Sequence, residues 1–353
     1  MKLLKTFFLM SLAFNLSASE KKSLDDLADN INSNEFKQMT SVVVSQNNEI
    51  IYEKYFNQGN IDYKHDMRSA SKSLTSLALG FAIQDGLIDG LNHPIVKYFE
   101  DKLPLKNSDP RKLKITIQDL LTMSSTLECD DWNSASRGNE ERMYLIEDWS
   151  GFILNLPVRG IPPWKKTPEK SKYDRAFSYC TGGVQVLTEL VERMTKRKMS
   201  DYLQDKLFTP LAIKKPEFSQ TPLGFTNGGG GARLTSRDWI KIGNLILNNG
   251  VVYNKKIINE KWIKESLIRR TVVDEDRDIE YGYLWWIYNF KINNKIIPAY
   301  AAAGNGGNYL FMIPELSASV VITSRAYNTN YMHQQSQKIL TDYVLPVLLK
   351  SKD

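Results

Sequence analysis

The chain has 353 residues, 42% of them hydrophobic and 24% charged, which excludes a disordered or collagen-like polypeptide. That length accommodates two domains, or one large fold carrying an insertion. A formal charge of +6 with no sustained Lys/Arg run argues against a nucleic-acid binder. Two cysteines and three scattered histidines leave little room for a metal site, and no cofactor motif is present.

The first twenty residues, MKLLKTFFLMSLAFNLSASE, combine two lysines, an apolar run from Phe7 to Leu16 and the small residues Ser17-Ala18-Ser19. That is the pattern of a secretory signal, 1–19, removed near Ser19. The run is shorter than the ~18 apolar residues of a spanning helix, and no cysteine follows it for lipidation. The sequence therefore predicts an exported protein, periplasmic or secreted, with no stable membrane anchor after signal removal. Loss of Lys2 and Lys5 would leave a charge of +4.

SVVVS (41–45) and EIIYEKYF (49–56) read as strands joined by a turn at Gln46-Asn47-Asn48. From Ser69 to Gly86 the apolar residues Leu74, Leu77, Ala78, Phe81 and Ala82 recur at helical spacing. The middle mixes loops with helices, clearest at 115–123 and 182–194, and a Pro/Lys-rich loop spans 159–172. Ser236 is placed to cap a helix beginning near Arg237. Strands return at 281–292, 295–302, 308–313 and 318–325, and an amphipathic helix runs from His333 to Leu349. The expected fold is α/β (α+β): an antiparallel sheet formed by both chain ends, flanked by helices, with a mostly helical insertion. The domain at 20–353 would comprise an α/β part at about 36–90 and 225–353, and the insertion at about 91–224.

Three motifs could carry chemistry. Ser69 and Lys72 lie three apart at a helix start, so their side chains share a face. A desolvated lysine loses its proton more readily, and its neutral amine can activate a serine without histidine. The plain alternative is a helix cap beside a solvated lysine. Tyr179, in FSYCTGG (177–183), could relay a proton to a leaving group near a cationic lysine, or be a core tyrosine on a turn. Gly304-Asn305, in AAGNGGN (302–308), could bring an exposed N–H to an oxyanion, or be an ordinary hairpin. Gly228–Gly231 lacks the Lys-Ser/Thr of a phosphate loop and reads as a flexible connection. His65, His93 and His333 lack metal-ligand spacing and read as structural or surface residues.

The order of these segments resembles the β-lactamase-related serine hydrolases: class C β-lactamases, DD-peptidases, certain esterases and nylon-oligomer hydrolases. The likeness spans 50–324 and rests on RSASKSLTSLALGFAIQDGLIDG, ITIQDLLTMSSTL, FSYCTGGVQVLTELVERMT, GGGGARLTSRDWIKIGNLILNNG, YGYLWWI and AAGNGGNYLFMIPE. It implies Ser69 as nucleophile, Lys72 as its base, Tyr179 as the partner handling the leaving-group proton, and an oxyanion hole from the backbone N–H groups of Ser69 and Asn305. Thr181, Ala303 and Gly304 would face the substrate. Thr126 stands where glycine is usual, and Thr181 where many members have asparagine. Ala302-Ala303-Gly304 replaces the Lys-Thr-Gly or His-x-Gly of penicillin-recognising members. Without that cation a substrate carboxylate loses a charge-assisted bond worth about 1.5–3 kcal/mol.

The expected function is an exported serine hydrolase cleaving a small ester or amide through an acyl-enzyme on Ser69. The alternatives are a β-lactamase or peptidoglycan DD-peptidase, and an inactive cell-wall-binding protein. Two cysteines in an oxidising compartment favour pairing. Loops at the position of CDDWNSASRGNEER fold over the active site in the resembling family, which would bring Cys129 to Cys180.

Overall fold

SVVVS (41–45) and ASVVITS (318–324) are apolar or small at nearly every position, the pattern of strands covered on both faces. The structure, a computed structural model, describes residues 23–160, 167, 171–214, 216–292 and 294–350. The signal-like segment 1–19 and residues 161–166 and 168–170 of the Pro/Lys-rich loop lie outside the described residues. Eight strands form the main sheet: β1 (Met39–Gln46), β2 (Glu49–Tyr55), β3 (Thr271–Asp274), β4 (Ile279–Tyr281), β5 (Trp286–Ile292), β6 (Lys295–Gly304), β7 (Asn308–Ile313) and β8 (Ala318–Ser324). Their spatial order is β2-β1-β8-β7-β6-β5-β4-β3, antiparallel throughout. The expected sheet is present: the chain ends meet at the β1–β8 pair, with Val43 opposite Val321.

Each face of the sheet carries its own core. Val42 and Val44 join Leu27 and Ile31 of α1 (Leu24–Asn32) with the C-terminal helical segment, which includes Ile339 and Tyr343. Val43, one residue between them, faces the opposite core. That core holds the apolar sides of α2 (Lys72–Gln84), α3 (Thr181–Thr195) and α4 (Ser236–Leu247). The period-two alternation of a strand thus divides one apolar run between two helical layers. No helix among the described residues is long and apolar enough to cross a membrane.

Several boundaries differ from expectation. Helix α1 lies in what reads as a polar start, closed by a capping box between Ser23 and Asp26. Thr235, not Ser236, caps α4: its side chain accepts the Asp238 N–H, while Ser236 Oγ pairs with Ser41 Oγ at 2.7 Å. Residues 281–292 do not form one strand. The chain breaks after Tyr281, with Leu284 at φ 62° donating its N–H to the Leu121 carbonyl at 3.0 Å, and resumes at Trp286. The last helix is interrupted: α5 (Met332–Ile339) passes through a wider π turn at Leu340–Val344 before Leu345–Lys350.

What positions the site is the contact between β6 and the turn before α2. The sequence Ala301-Ala302-Ala303-Gly304 keeps that strand end free of bulk. A Cβ on Gly304 would stand 1.9 Å from the Met67 carbonyl oxygen. Gly304→Ala should therefore destabilise the protein by about 1–3 kcal/mol through overpacking. Calorimetry should show Tm lowered by several degrees, and an unchanged Tm would refute the close approach.

Candidate functional site

Ser69 sits in a 3-10 turn, Arg68–Ser71, that leads directly into α2. The residue before it, Arg68, occupies the left-handed region at φ 48°, a conformation that costs a non-glycine about 1–3 kcal/mol at a constrained site. Asp66 holds it there, accepting the Arg68 N–H at 3.1 Å and pairing with its guanidinium at 3.3 Å. The Tyr327 ring lies 4.8 Å from the same guanidinium. Lys72, the first residue of α2, is only 1% exposed. Its Nζ donates to Ser69 Oγ at 2.8 Å and to the Gly229 carbonyl at 2.6 Å. The solvated-lysine alternative is thereby excluded: α2 is buried on nearly every side, and its leading lysine is buried with it.

The Gly229 contact corrects the reading of Gly228–Gly231 as a flexible connection. The segment is fixed by bonds from Thr75 Oγ1 to the Gly228 carbonyl (3.2 Å), from Gly230 N–H to Asn227 Oδ1 (3.2 Å) and from Ala232 N–H to Ser71 Oγ (3.0 Å). Its glycines serve close packing. A Cβ on Gly228 would meet the hydroxyls of Thr188 and Thr75 at 2.0 and 2.4 Å, and one on Gly229 the Thr181 methyl at 2.7 Å.

Tyr179 precedes α3 and is buried, its ring centroid 5.1 Å from Lys72 Nζ. A strap from Cys129 to Glu140 holds it in place. Cys129 and Cys180 are joined by a disulfide with Cα atoms 5.4 Å apart. Ser178 Oγ donates to the Cys129 carbonyl at 2.7 Å, and the Asp131 N–H donates to the Tyr179 carbonyl at 2.9 Å. The Asp131 carboxylate accepts the Thr181 N–H at 2.6 Å and the Glu140 N–H at 2.9 Å. Tyr179 is thus bracketed by bonds on both sides.

The electrostatics separate the two candidate proton carriers. Burial pushes the Lys72 pKa down, opposed by the carboxylates of Glu140 and Asp131, so the neutral amine becomes accessible. Burial pushes Tyr179 well above the usual phenol range, partly opposed by a hydrogen bond with Ser69, so the phenol keeps its proton at neutral pH. Asp131 is raised to about 6 by burial and by the Glu140 charge, against the Thr181 contact. Among the described residues, no cluster of His, Cys, Asp and Glu could hold a metal ion.

Two cavities, of about 740 and 630 Å³, meet at Ser69 and Asn305, which line both. Asn305 is pinned from three directions. Its Nδ2 donates to Asn328 Oδ1 (2.6 Å), its Oδ1 accepts the Asn328 N–H (2.9 Å), and its carbonyl accepts Asn308 Nδ2 (2.8 Å). Ala303 and Gly304 line the second cavity, whereas Thr181 lines neither and is 1% exposed. His333 forms part of the second cavity, its Nδ1 2.8 Å from the Tyr309 hydroxyl, and burial lowers its pKa to about 4. His65 is buried beside Thr40, and His93 pairs with Asp89 on the surface.

The structure places Ser69, Lys72, Tyr179, Asn305, Ala303 and Gly304 near one another, and leaves Thr181 behind the cavity wall. Asp131, Trp132, Glu140 and the Gly229 carbonyl are additional members. Their only sequence signal is membership of the loop after Cys129 and of the glycine run, because no local spacing links them to Ser69.

Two outcomes follow from this geometry. An ammonium has no lone pair, so the rate of fluorophosphonate labelling should fall as pH drops through the Lys72 pKa. Asp131 favours the ammonium; Asp131→Asn should lower that pKa and move the acidic limb to lower pH, and a move to higher pH would contradict the assignment. The disulfide closes a loop with a sequence separation of 51 residues. Its removal in Cys129→Ser/Cys180→Ser should cost up to about 4 kcal/mol in urea unfolding; equal stability of the two proteins would oppose a stabilising bridge.

Comparison with known proteins places this geometry in a lineage. The family model for beta-lactamase matches residues 31–341. The chain is 24% identical over 326 residues to 6-aminohexanoate-dimer hydrolase of Paenarthrobacter ureafaciens, covering 85% of this chain and 76% of that one. A solved Bacillus anthracis structure, provisionally named a 6-aminohexanoate-dimer hydrolase, superposes with a TM-score of 0.73 at 17% identity, over 91% of this chain and 82% of that one. A class C beta-lactamase from Rhodobacter sphaeroides gives a TM-score of 0.62 at 14% identity, over 92% of this chain and all of its own. Membership supports serine-hydrolase activity through an acyl-enzyme in general. The match over most of the chain, on the antiparallel sheet described above, makes this protein a member of the beta-lactamase family, within the superfamily of β-lactamases, DD-peptidases and esterases.

Proposed function

We propose that this chain is a serine hydrolase that cleaves a small ester or amide through an acyl-enzyme on Ser69. The observation that carries the reading is the 2.8 Å contact between Ser69 Oγ and the buried Lys72 amine. Neutral Lys72 takes the hydroxyl proton as Oγ attacks the carbonyl carbon. The backbone N–H groups of Ser69 and Asn305 receive the oxyanion. Tyr179, which keeps its proton at neutral pH, delivers it to the leaving oxygen or nitrogen and is reprotonated through Lys72. Water then attacks the acyl-enzyme, with the same groups acting in reverse.

The ester and amide reading is favoured over the β-lactamase or DD-peptidase reading by the charges around Ser69. Ala302 stands where the penicillin-recognising members of the resembling family carry a cation, and the carboxylates of Asp131, Glu140 and Glu141 line the cavity beside Ser69, where the Arg277 guanidinium is already paired with Asp274. A substrate carboxylate there would meet like charge. The Paenarthrobacter ureafaciens relative is named for hydrolysis of a 6-aminohexanoate dimer, which supports the same direction. Export is part of the proposal, supported by the signal-like segment 1–19 and by a disulfide suited to an oxidising compartment. An inactive binding role is disfavoured because it would not require Ser69, Lys72 and Tyr179 together.

A fluorophosphonate should label the wild-type protein and fail to label Ser69→Ala. In a panel of chromogenic esters, amides and nitrocefin, turnover should be confined to the esters and amides. Equal labelling of the variant would refute the nucleophile, and efficient nitrocefin turnover would refute the substrate class.

A further inference from the structure

Ser69 lines both cavities, so each half of a substrate whose carbonyl reaches Oγ has a cavity open to it. The two differ in chemistry. Glu140 and Glu141 line both; the larger adds the charged side chains of Asp66, Arg68, Glu217 and Arg233 to separate rings such as Tyr144 and Tyr327. The other adds a contiguous group of rings, Trp132, Tyr179, Trp286, Tyr288 and Tyr309, beside the charged Asp131 and Arg277, and its volume of about 630 Å³ suits a small-molecule fragment. Trp132 is 61% exposed, yet its ring lies nearly parallel to that of Tyr179, 5.4 Å away with 7° between the planes, and 6.3 Å from Trp286. The strap holds it there from both sides, since Asp131 is bonded to Tyr179 and Thr181, and Asn139 Nδ2 donates to the Asp131 and Asn133 carbonyls. An indole held open to solvent beside buried rings presents an apolar face for a ligand to cover. Tyr179 lines this cavity and not the charged one.

Building on the Ser69 reading, we infer that the aromatic cavity receives the leaving group, that this group is an apolar or aromatic alcohol or amine, and that Trp132 selects it. The bond that breaks must place its leaving atom beside the Tyr179 hydroxyl, in the cavity where that side chain stands. The Oγ–carbon bond forms, and the carbon–oxygen or carbon–nitrogen bond breaks. The leaving atom keeps the bonding pair and takes a proton from Tyr179, replaced through Lys72 by the one lost from Ser69. The acyl half stays on Ser69 and extends into the charged cavity. Trp132 and Trp286 then cover an aromatic leaving group by offset stacking, or an alkyl one by removing its surface from water.

The test uses two ester series on the purified protein. One keeps the acyl group constant and varies the alcohol through methyl, hexyl and 2-(2-naphthyl)ethyl, leaving groups of similar acidity; the other keeps a methyl ester and varies the acyl chain over the same sizes. We expect kcat/KM to rise about tenfold or more along the alcohol series, chiefly through KM, and to stay nearly level along the acyl series. Trp132→Ala should remove most of that gain, and Trp132→Phe should restore it. Selectivity that follows the acyl series, or a gain unchanged in Trp132→Ala, would overturn the inference. If none of these esters turns over, protection of Ser69 from labelling by free 2-(2-naphthyl)ethanol reads the same cavity, and absence of protection overturns it. Labelling of the wild-type protein by a small fluorophosphonate keeps the two readings apart. If labelling occurs without alcohol selectivity, the Ser69 reading stands and this inference falls; if it does not occur, both fall.

Discussion

The burial of Lys72 is the constraint on which the rest of the site depends. An amine held at 1% exposure between a hydroxyl and a carbonyl cannot keep its charge as cheaply as in water. Three structural features create that environment. The helix that begins with Lys72 is buried along almost its whole length. The glycine run comes close enough to offer the Gly229 carbonyl because a Cβ at Gly228 would strike Thr188 and Thr75. The end of β6 lets the Ser69 turn approach because Gly304 carries no side chain. The last two are steric allowances made far from Lys72 in the chain, and with the buried helix they place Nζ against Oγ.

The same desolvation acts oppositely on Tyr179. Burial raises a phenol and lowers an ammonium, so one apolar environment makes the lysine a better base and keeps the tyrosine a proton donor. No histidine is hydrogen-bonded to Ser69 among the described residues. His65 is buried against Thr40, His93 lies on the surface, and His333 bonds Tyr309 in the aromatic cavity. The placement of Tyr179 depends on the strap from Cys129 to Glu140. Its disulfide fixes the chain covalently, while Asp131 makes the hydrogen bonds that set the turn on either side of the tyrosine.

The sheet and its helical layers are a frame shared with proteins of different chemistry, so similarity at 12–17% identity in the solved structures speaks to architecture. Substrate choice belongs to the cavity walls. Here Glu140 and Glu141 line both cavities, one of which adds Asp66, Arg68, Glu217 and Arg233 and the other the stacked rings around Trp132, and Ala302 stands where a cation is found in penicillin-recognising members of the resembling family. On the proposed Ser69 reading, that contrast gives the two halves of a substrate different surroundings.

Residue type and local spacing made much of this protein legible. Ser69 and Lys72 are three apart, Tyr179 opens a helix, and Gly304-Asn305 joins two β-rich runs; each motif lies within a short window, and their order carries the family resemblance. The β1 and β8 runs likewise announce doubly covered strands by composition. Tertiary structure decided what depends on contacts across the chain. Thr235 caps α4 because Ser236 is engaged by Ser41, 195 residues away. Gly229 meets Lys72 across 157 residues, and Asp131 meets Thr181 across 50. The glycine run reads as flexible because glycine serves both mobility and close packing, and only the neighbours of the absent Cβ distinguish them. Thr181, one residue beyond the disulfide, turns behind the cavity wall for the same reason: helix phase and packing, which no single motif encodes, determine which side chains reach the substrate.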